Sequence, residues 1–370
     1  MKNVNALTKG TEKTKVDKFM EKSIDRYTSY GIDVEKDLIV GLNVGCNAGN
    51  YFCKVVGTMS KDLFKTTGRA ISANEVVGIE QNIKDGTAPK AIRINGQLYM
   101  MNAGENISGD IKQRTPDILR AVIIYSIARQ LAKKKSLKRV KLAEVSLTLG
   151  LPIKEYGRND NAKYLAELVA GVHKVEYQGM DVIISIPKKL INIEAEGYAY
   201  YRANYHKYQP QTTDEFGEQE NVYIIDAGSG TIDSVWISGG QVMQSETFKG
   251  KGTLSLMKEL GNAIDSKIGY EAPEAKLEAL VRTGKTDLGN GDIFTLEDFP
   301  VIVKNYKDTV IQSLGVYKEI ASATRIVLIG GGAYLLKDII AKTYNRVPVI
   351  ELVEKSELAN AEAYYVLSFR

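Results

Sequence analysis

An apolar strand that runs directly into a carboxylate, a glycine-rich reversal and a second carboxylate constrains this chain more than any other feature. Residues 221–233 read Asn-Val-Tyr-Ile-Ile-Asp-Ala-Gly-Ser-Gly-Thr-Ile-Asp. The strand Val222–Ile225 buries its side chains and delivers Asp226 to its end, where a carboxylate can face Mg²⁺ through water. Gly228 and Gly230 flank Ser229 ahead of Thr231, and glycine's tolerance of positive φ lets backbone N–H groups close around an anion. The same residue types also build ordinary hairpin turns. The motif alone does not decide between the two.

Two further segments repeat the device. Residues 38–47, Leu-Ile-Val-Gly-Leu-Asn-Val-Gly-Cys-Asn, read as a second buried strand, followed by the polar turn Asn47-Ala-Gly-Asn50 around Gly49 and a returning strand over Tyr51–Val56. Lys54 stands seven residues beyond Asn47, where its ammonium can reach a phosphate held over the turn; an exposed hairpin lysine is the plainer alternative. Downstream, Arg325–Leu336 gives a third strand ending in Gly330, Gly331 and Gly332, with a helix predicted over Leu335–Tyr344. A backbone without side chains there suits a nucleobase or a ribose.

In this order the three segments resemble the nucleotide loops of the actin, hexokinase and heat-shock-chaperone ATPase superfamily, over roughly residues 37–369. Within it the chain is similar to bacterial ParM-type actin-like proteins, which form filaments that segregate plasmids. Gln97–Glu105, Leu147–Pro152 and Leu358–Tyr365 look like segments of those proteins, with Ala363 in the position of a family glycine. The resemblance implies an α/β, actin-like fold: two related α/β halves around a nucleotide cleft, each with an inserted subdomain. It implies phosphate binding by Asn47, Gly49, Asn50 and Lys54 and by Gly228, Ser229, Gly230 and Thr231. Nucleoside binding falls to Gly330, Gly331, Gly332 and Leu335, and Mg²⁺ to Asp226 and Asn47 through water. Glu194 falls at the position that orients the attacking water, with Tyr200 closing the segment and Glu196 as runner-up; a helix starting near Ala195, merely capped by these glutamates, is the alternative. Where the family carries an aspartate this chain has Asn47, which keeps the size and loses the charge.

The implied activity is hydrolysis of ATP or GTP coupled to self-polymerisation, with a centromere-binding adaptor as partner, plasmid DNA bound indirectly, no membrane association, and the cytoplasm as location. A small-molecule kinase on the same fold is the competing class. It needs a catalytic aspartate for an acceptor hydroxyl and a substrate signature in the first half, and neither is evident.

The resemblance also sets the domain organisation. Residues 1–36 form an extension, polar to Lys15 and then apolar at Phe19, Met20, Ile24 and Tyr27 with helical spacing, which reads as an amphipathic helix docked on the protein's own surface or along a filament, or else a frayed tail. Residues 37–220 make a first half with an insertion at about 58–115, including a hairpin over Ala91–Tyr99 that turns at Asn95-Gly96. Residues 221–354 make the second half, with an insertion at about 246–320 predicted as helices over Thr253–Lys267, Pro273–Thr283 and Thr295–Ile320. Residues 355–370 form a helix returning to the first half.

A net charge of +4 over 370 residues argues neither for nor against a nucleic-acid surface, and the basic cluster Lys133–Lys141 reads as a solvated helix end and loop, with contact to DNA or an acidic partner as the alternative. With two histidines and two cysteines, Cys46 and Cys53 on the arms of the first turn, a zinc site is not expected. The polar, Tyr-rich loop 201–221 is expected to vary.

Overall fold

A computed structural model describes residues 4–6, 14–85, 87–88, 90–106, 109–158, 160–208, 220–289, 291–315 and 318–369. The chain divides into two compact units, one of Met1–Leu151, Glu155–Ala195 and Asn360–Arg370, the other of Pro152–Lys154 and Glu196–Ala359.

In chain order the first unit contains β1 (Val4–Ala6), α1 (Lys15–Glu21), α2 (Ile24–Ser29), β2 (Leu38–Ala48), β3 (Phe52–Gly57), β4 (Lys61–Lys65), β5 (Thr67–Ala70), α3 (Glu80–Lys84), β6 (Ala91–Ile94) and β7 (Gln97–Asn106). It continues with α4 (Pro116–Ala132), β8 (Val140–Leu151), the short α5 (Ile153–Tyr156) where the chain passes between units, α6 (Asn161–Val169), β9 (Gly171–Tyr177), β10 (Met180–Ile186) and β11 (Ile191–Ala195). These strands form one sheet of eleven in the order β4-β3-β2-β8-β10-β9-β6-β7-β5, with β1 added to β2 and β11 to β8. Strands β10 and β11 follow one another along the same edge of β8, both parallel to it. The Asn95-Gly96 turn has φ of 49° and 86°, the positive pair that a two-residue hairpin demands.

On one face of this sheet α4 is buried almost all round. Ile118, Val122, Ile123, Ile127 and Leu131 pack with Val44, Val55, Val145 and Leu147, which is why its sequence shows no polar stripe. On the other face lies the N-terminal extension as two helices rather than one. Thr14 caps α1 in a reciprocal box with Asp17, and the chain breaks at Lys22 and Ser23 before α2. Val16, Phe19, Met20 and Tyr27 close over Ile39 and Leu142. Among them sits a buried charge: Arg26 Nη2 donates to Glu144 Oε2 at 2.6 Å, and Ser185 Oγ donates to Oε1 at 2.9 Å. Burial pushes the Glu144 carboxyl above its ordinary value despite the guanidinium.

The second unit contains α7 (Tyr198–Ala203), β12 (Asn221–Ala227), β13 (Thr231–Ser238), β14 (Gln241–Lys249), α8 (Thr253–Ile268), α9 (Glu274–Thr283), β15 (Lys285–Asp287), β16 (Ile293–Thr295), α10 (Pro300–Leu314), β17 (Arg325–Ile329), α11 (Ala333–Thr343) and β18 (Val349–Leu352). Its main sheet runs β14-β13-β12-β17-β18, with β12, β17 and β18 parallel and α8, α10 and α11 packed on it through Leu256, Leu260, Val310 and Leu336. The single helix expected over Thr295–Ile320 is not formed. Ile293–Thr295 pairs with β15, a capped turn covers 296–298, and the helix starts at Pro300, whose fixed φ suits a first helical position.

Finally α12 (Ala359–Leu367) belongs largely to the first unit. A Cβ on Gly45 would meet the backbone of Ala361 and Tyr365, and one on Gly150 would meet the Tyr364 ring, so these two glycines let the helix lie directly on β2 and β8. Among the described residues no helix is long and apolar enough to cross a membrane.

Candidate functional site

In the second unit, β12 and β17 are adjacent parallel strands with Asp226 opposite Ile329, so Asp226 and the glycines after Ile329 emerge side by side at the carboxyl ends of the strands. Ligands of open α/β sheets bind outside such ends. Asp226 is buried, and Gly330, with φ of +88°, wraps against it: a Cβ there would fall on Asp226 Oδ1 and on the Ala227 carbonyl. Gly332 N–H donates to Ala227 O at 2.8 Å, and Ser356 fixes Gly330 from both sides, accepting its N–H at 2.8 Å and donating Oγ–H to its carbonyl at 2.9 Å.

The Gly228–Thr231 turn is held by its carbonyls. Thr253 N–H donates to Gly228 O at 3.2 Å, Leu254 N–H to Ser229 O at 2.9 Å and Gly250 N–H to Gly230 O at 3.0 Å. Gly252 lies so close beneath that a Cβ would strike Ser229. With the carbonyls committed, the amides of Ser229 and Gly230 have no protein acceptor among the described residues. The turn thus offers two half-exposed backbone donors that an oxyanion can accept from. Neither Gly228 nor Gly230 adopts the positive φ expected from the sequence. Close packing accounts for Gly228, where a Cβ would stand 3.1 Å from Thr231 O. Asp233 is tied up, accepting Thr231 Oγ at 2.8 Å and the Thr247 hydroxyl. Leu335 is buried in the core of the unit, so its side chain is not presented to a ligand.

In the first unit, the β2–β3 hairpin sets Asn47 opposite Lys54. Around the vacant Cβ position of Gly49, Lys54 Nζ lies at 3.5 Å and Asn47 Oδ1 at 3.6 Å. The ammonium therefore stands over the turn. Cys46 pairs with Leu149 and Glu194 with Gly150 in two parallel ladders. One step on, Asn47, Gly150 and Glu194 form a row across β2, β8 and β11, with side chains on one face and Asn47 and Glu194 about 10 Å apart by strand spacing. Both are buried. Strand β11 continues through Ala195 and the next helix starts at Tyr198, so Glu194 lies on a strand and not at a helix start near Ala195.

Arg114 has no counterpart in the sequence reading. Buried, it donates Nη1–H to Ala48 O at 2.6 Å, Nη2–H to Asn50 Oδ1 at 3.2 Å and Nε–H to Gly109 O at 3.1 Å, while Gly109 N–H also donates to Asn50 Oδ1 at 3.2 Å. The Asn50 amide oxygen is thereby spent on holding the turn. Residues 64 and 66 positions apart meet here, and no local pattern announces it. Among the described residues no group of three or more His, Cys, Asp or Glu side chains is positioned to hold a metal.

The architecture is the actin-like α/β fold. Similar solved structures include the actin-like protein Alp7A, 16% identical over 89% of this chain and 96% of that one with a TM-score of 0.70. A 15-stranded ParM filament from Clostridium botulinum is 14% identical over 89% and 99%, with a TM-score of 0.64. An archaeal actin homolog in complex with ADP is 15% identical over 88% and 99%, with a TM-score of 0.65. Likeness at such identities is likeness of fold. No family model and no curated protein matches the sequence.

Proposed function

We propose that this chain is a ParM-type actin-like protein that binds ATP or GTP with Mg²⁺, hydrolyses it, polymerises with itself in the cytoplasm and moves plasmid DNA through a centromere-binding adaptor. The observation that carries the nucleotide reading is the Gly228–Thr231 turn, whose carbonyls are all engaged while the amides of Ser229 and Gly230 have no protein acceptor among the described residues, beside a buried carboxylate and a glycine-lined strand end. The filament reading leans on the solved relatives, one of them a filament and one bound to ADP.

Phosphoryl transfer to water asks a protein mainly for positioning and charge neutralisation. In this reading the amides of Ser229 and Gly230 and the Lys54 ammonium bind phosphate oxygens, and the backbone of Gly330–Gly332 carries the nucleoside. Asp226, a buried carboxylate at the end of its strand, would hold Mg²⁺. Asn47 would help hold the metal through water, and Glu194 accepts from the attacking water and aligns it. Bound Mg²⁺ supplies charge neutralisation on the phosphates. Titration of Mg-ATP and Mg-GTP into wild type and Asp226→Ala tests the assignment. Micromolar binding and slow phosphate release are expected from wild type, with Mg-dependent turnover lost in the variant. No binding of either triphosphate by the folded wild type would overturn the reading.

A further inference from the structure

Cys46 and Cys53 are the only cysteines of the chain. They occupy the two arms of the first turn as free, fully buried thiols with Sγ atoms 3.6 Å apart. The ladder pairs Cys46 with Val55 and Cys53 with Ala48, which makes the cysteines diagonal neighbours, one residue from Asn47 and Lys54 respectively. Nothing in the hydrolysis described above uses them. We propose that this pair is a modification site, closed to an intrachain disulfide by a hydroperoxide when the turn opens and protected when a nucleotide phosphate holds the turn shut. The protection rests on reading this turn as a phosphate site; the disulfide does not.

The chemistry needs one two-electron oxidant. One thiol, as thiolate, attacks hydrogen peroxide; an S–O bond forms, the O–O bond breaks, and hydroxide leaves and takes up the proton the thiol gave. The second sulfur then attacks the sulfenic sulfur, an S–S bond replaces the S–O bond, and water departs with the second thiol proton. Two thiols and one peroxide become one disulfide and two waters. In the closed hairpin the two sulfurs stand 3.6 Å apart, so the resolving sulfur is at hand as the turn recloses.

The first step is slow in the closed hairpin, where both sulfurs are shielded and burial raises the Cys53 thiol. Reaction therefore proceeds through opening of the turn. Diagonal positions on antiparallel strands stand about 7–8 Å apart, just beyond the roughly 4.4–6.8 Å that disulfides span between Cα atoms. Closure draws the arms past one another and carries Asn47 and Lys54 with them. The oxidised form then binds triphosphate more weakly, and its strained bond is readily reduced.

The test is hydrogen peroxide treatment of wild type, with and without Mg-ATP, followed by denaturation, thiol alkylation and intact mass. Loss of both thiols with a mass drop of two hydrogens, reversed by dithiothreitol, is expected. At ten times Kd, nucleotide should slow the loss about tenfold. Cys46→Ala should leave Cys53 trapped by dimedone as a sulfenic acid, with no disulfide. Thiols that persist, or that gain oxygen independently without a disulfide, overturn the proposal. Equal rates with and without nucleotide, in protein shown by calorimetry to bind it, overturn the protection. Disulfide formation in protein that binds no nucleotide would instead support the site and sink the functional reading.

Discussion

Asp226 Oδ1 fills the space that a side chain on Gly330 would need. The end of one parallel strand is thus moulded onto the turn that follows its neighbour, and the carboxylate proposed for the metal shell cannot move independently of the backbone proposed for the nucleoside.

Gly330→Ala should therefore be among the most damaging single-methyl changes in the second unit. Its φ of +88° already costs a Cβ-bearing residue about 1–3 kcal/mol, before the clash with Asp226 and Ala227 is counted. Gly331→Ala makes the control: its Cβ would meet Glu357 Cβ at 3.8 Å, an ordinary contact, and its stability should change by less than about 0.5 kcal/mol. Thermal melting of the two variants checks the contrast.

Arg114→Ala should loosen the first turn without unfolding the unit. Losing its bonds to Ala48 O, Asn50 Oδ1 and Gly109 O at this half-buried turn costs about 2 kcal/mol in all. Titration with a fluorescent nucleotide should show affinity weakened roughly 30-fold, with Arg114→Lys intermediate. Unchanged affinity in Arg114→Ala would remove the brace from the account.

What the sequence made legible was local. Alternating or continuous apolar runs ending in Gly, Asn or Asp marked β2, β12 and β17 and the turns after them, and Asn95-Gly96 marked its hairpin, because strand ends and turns are decided by neighbouring residues. What depended on distant partners was hidden. Arg114 reaches Ala48 across 66 positions and Arg26 reaches Glu144 across 118. The two glycines Gly45 and Gly150 are explained by a helix more than 200 residues further on. Gly228 was singled out for a reason that does not hold: its lack of a side chain serves packing, not positive φ. The Thr295–Ile320 prediction failed because apolar periodicity overlooked Pro300, a start signal rather than an interior residue.

Arg26→Met should separate the extension from the sheet in a pH-dependent way. The guanidinium is partly exposed and Glu144 fully buried, so its loss leaves an uncompensated buried carboxylate at about 3 kcal/mol near neutrality. Glu144 already titrates above its ordinary value through burial, and removing Arg26 raises it further. A group raised on folding favours the folded state at low pH and loses that contribution as pH rises through its folded pKa. The stability gap between variant and wild type should accordingly be small in acid and widen toward neutrality. Denaturant melts across that range measure it, and a gap independent of pH would contradict the assignment.

Two changes probe the hydrolytic row. Glu194→Ala should slow phosphate release by roughly 10²-fold while assembly persists, as for loss of a water-orienting group. If Glu196→Ala slows release instead, the role shifts by two residues. Asn47→Asp restores a charge beside the proposed metal shell and should speed hydrolysis about tenfold, equivalent to roughly 1.4 kcal/mol of barrier. An unchanged or slower rate would show that the missing charge does not limit turnover.

Nucleotide-driven self-assembly is read out by sedimentation of the purified protein with and without Mg-triphosphate, followed by electron microscopy of the pellet. Filaments that pellet with ATP or GTP, persist longer with a slowly hydrolysed analogue and are missing without nucleotide are the expected result. A chain that binds triphosphate yet stays monomeric at high concentration with ATP, GTP and the analogue would contradict it.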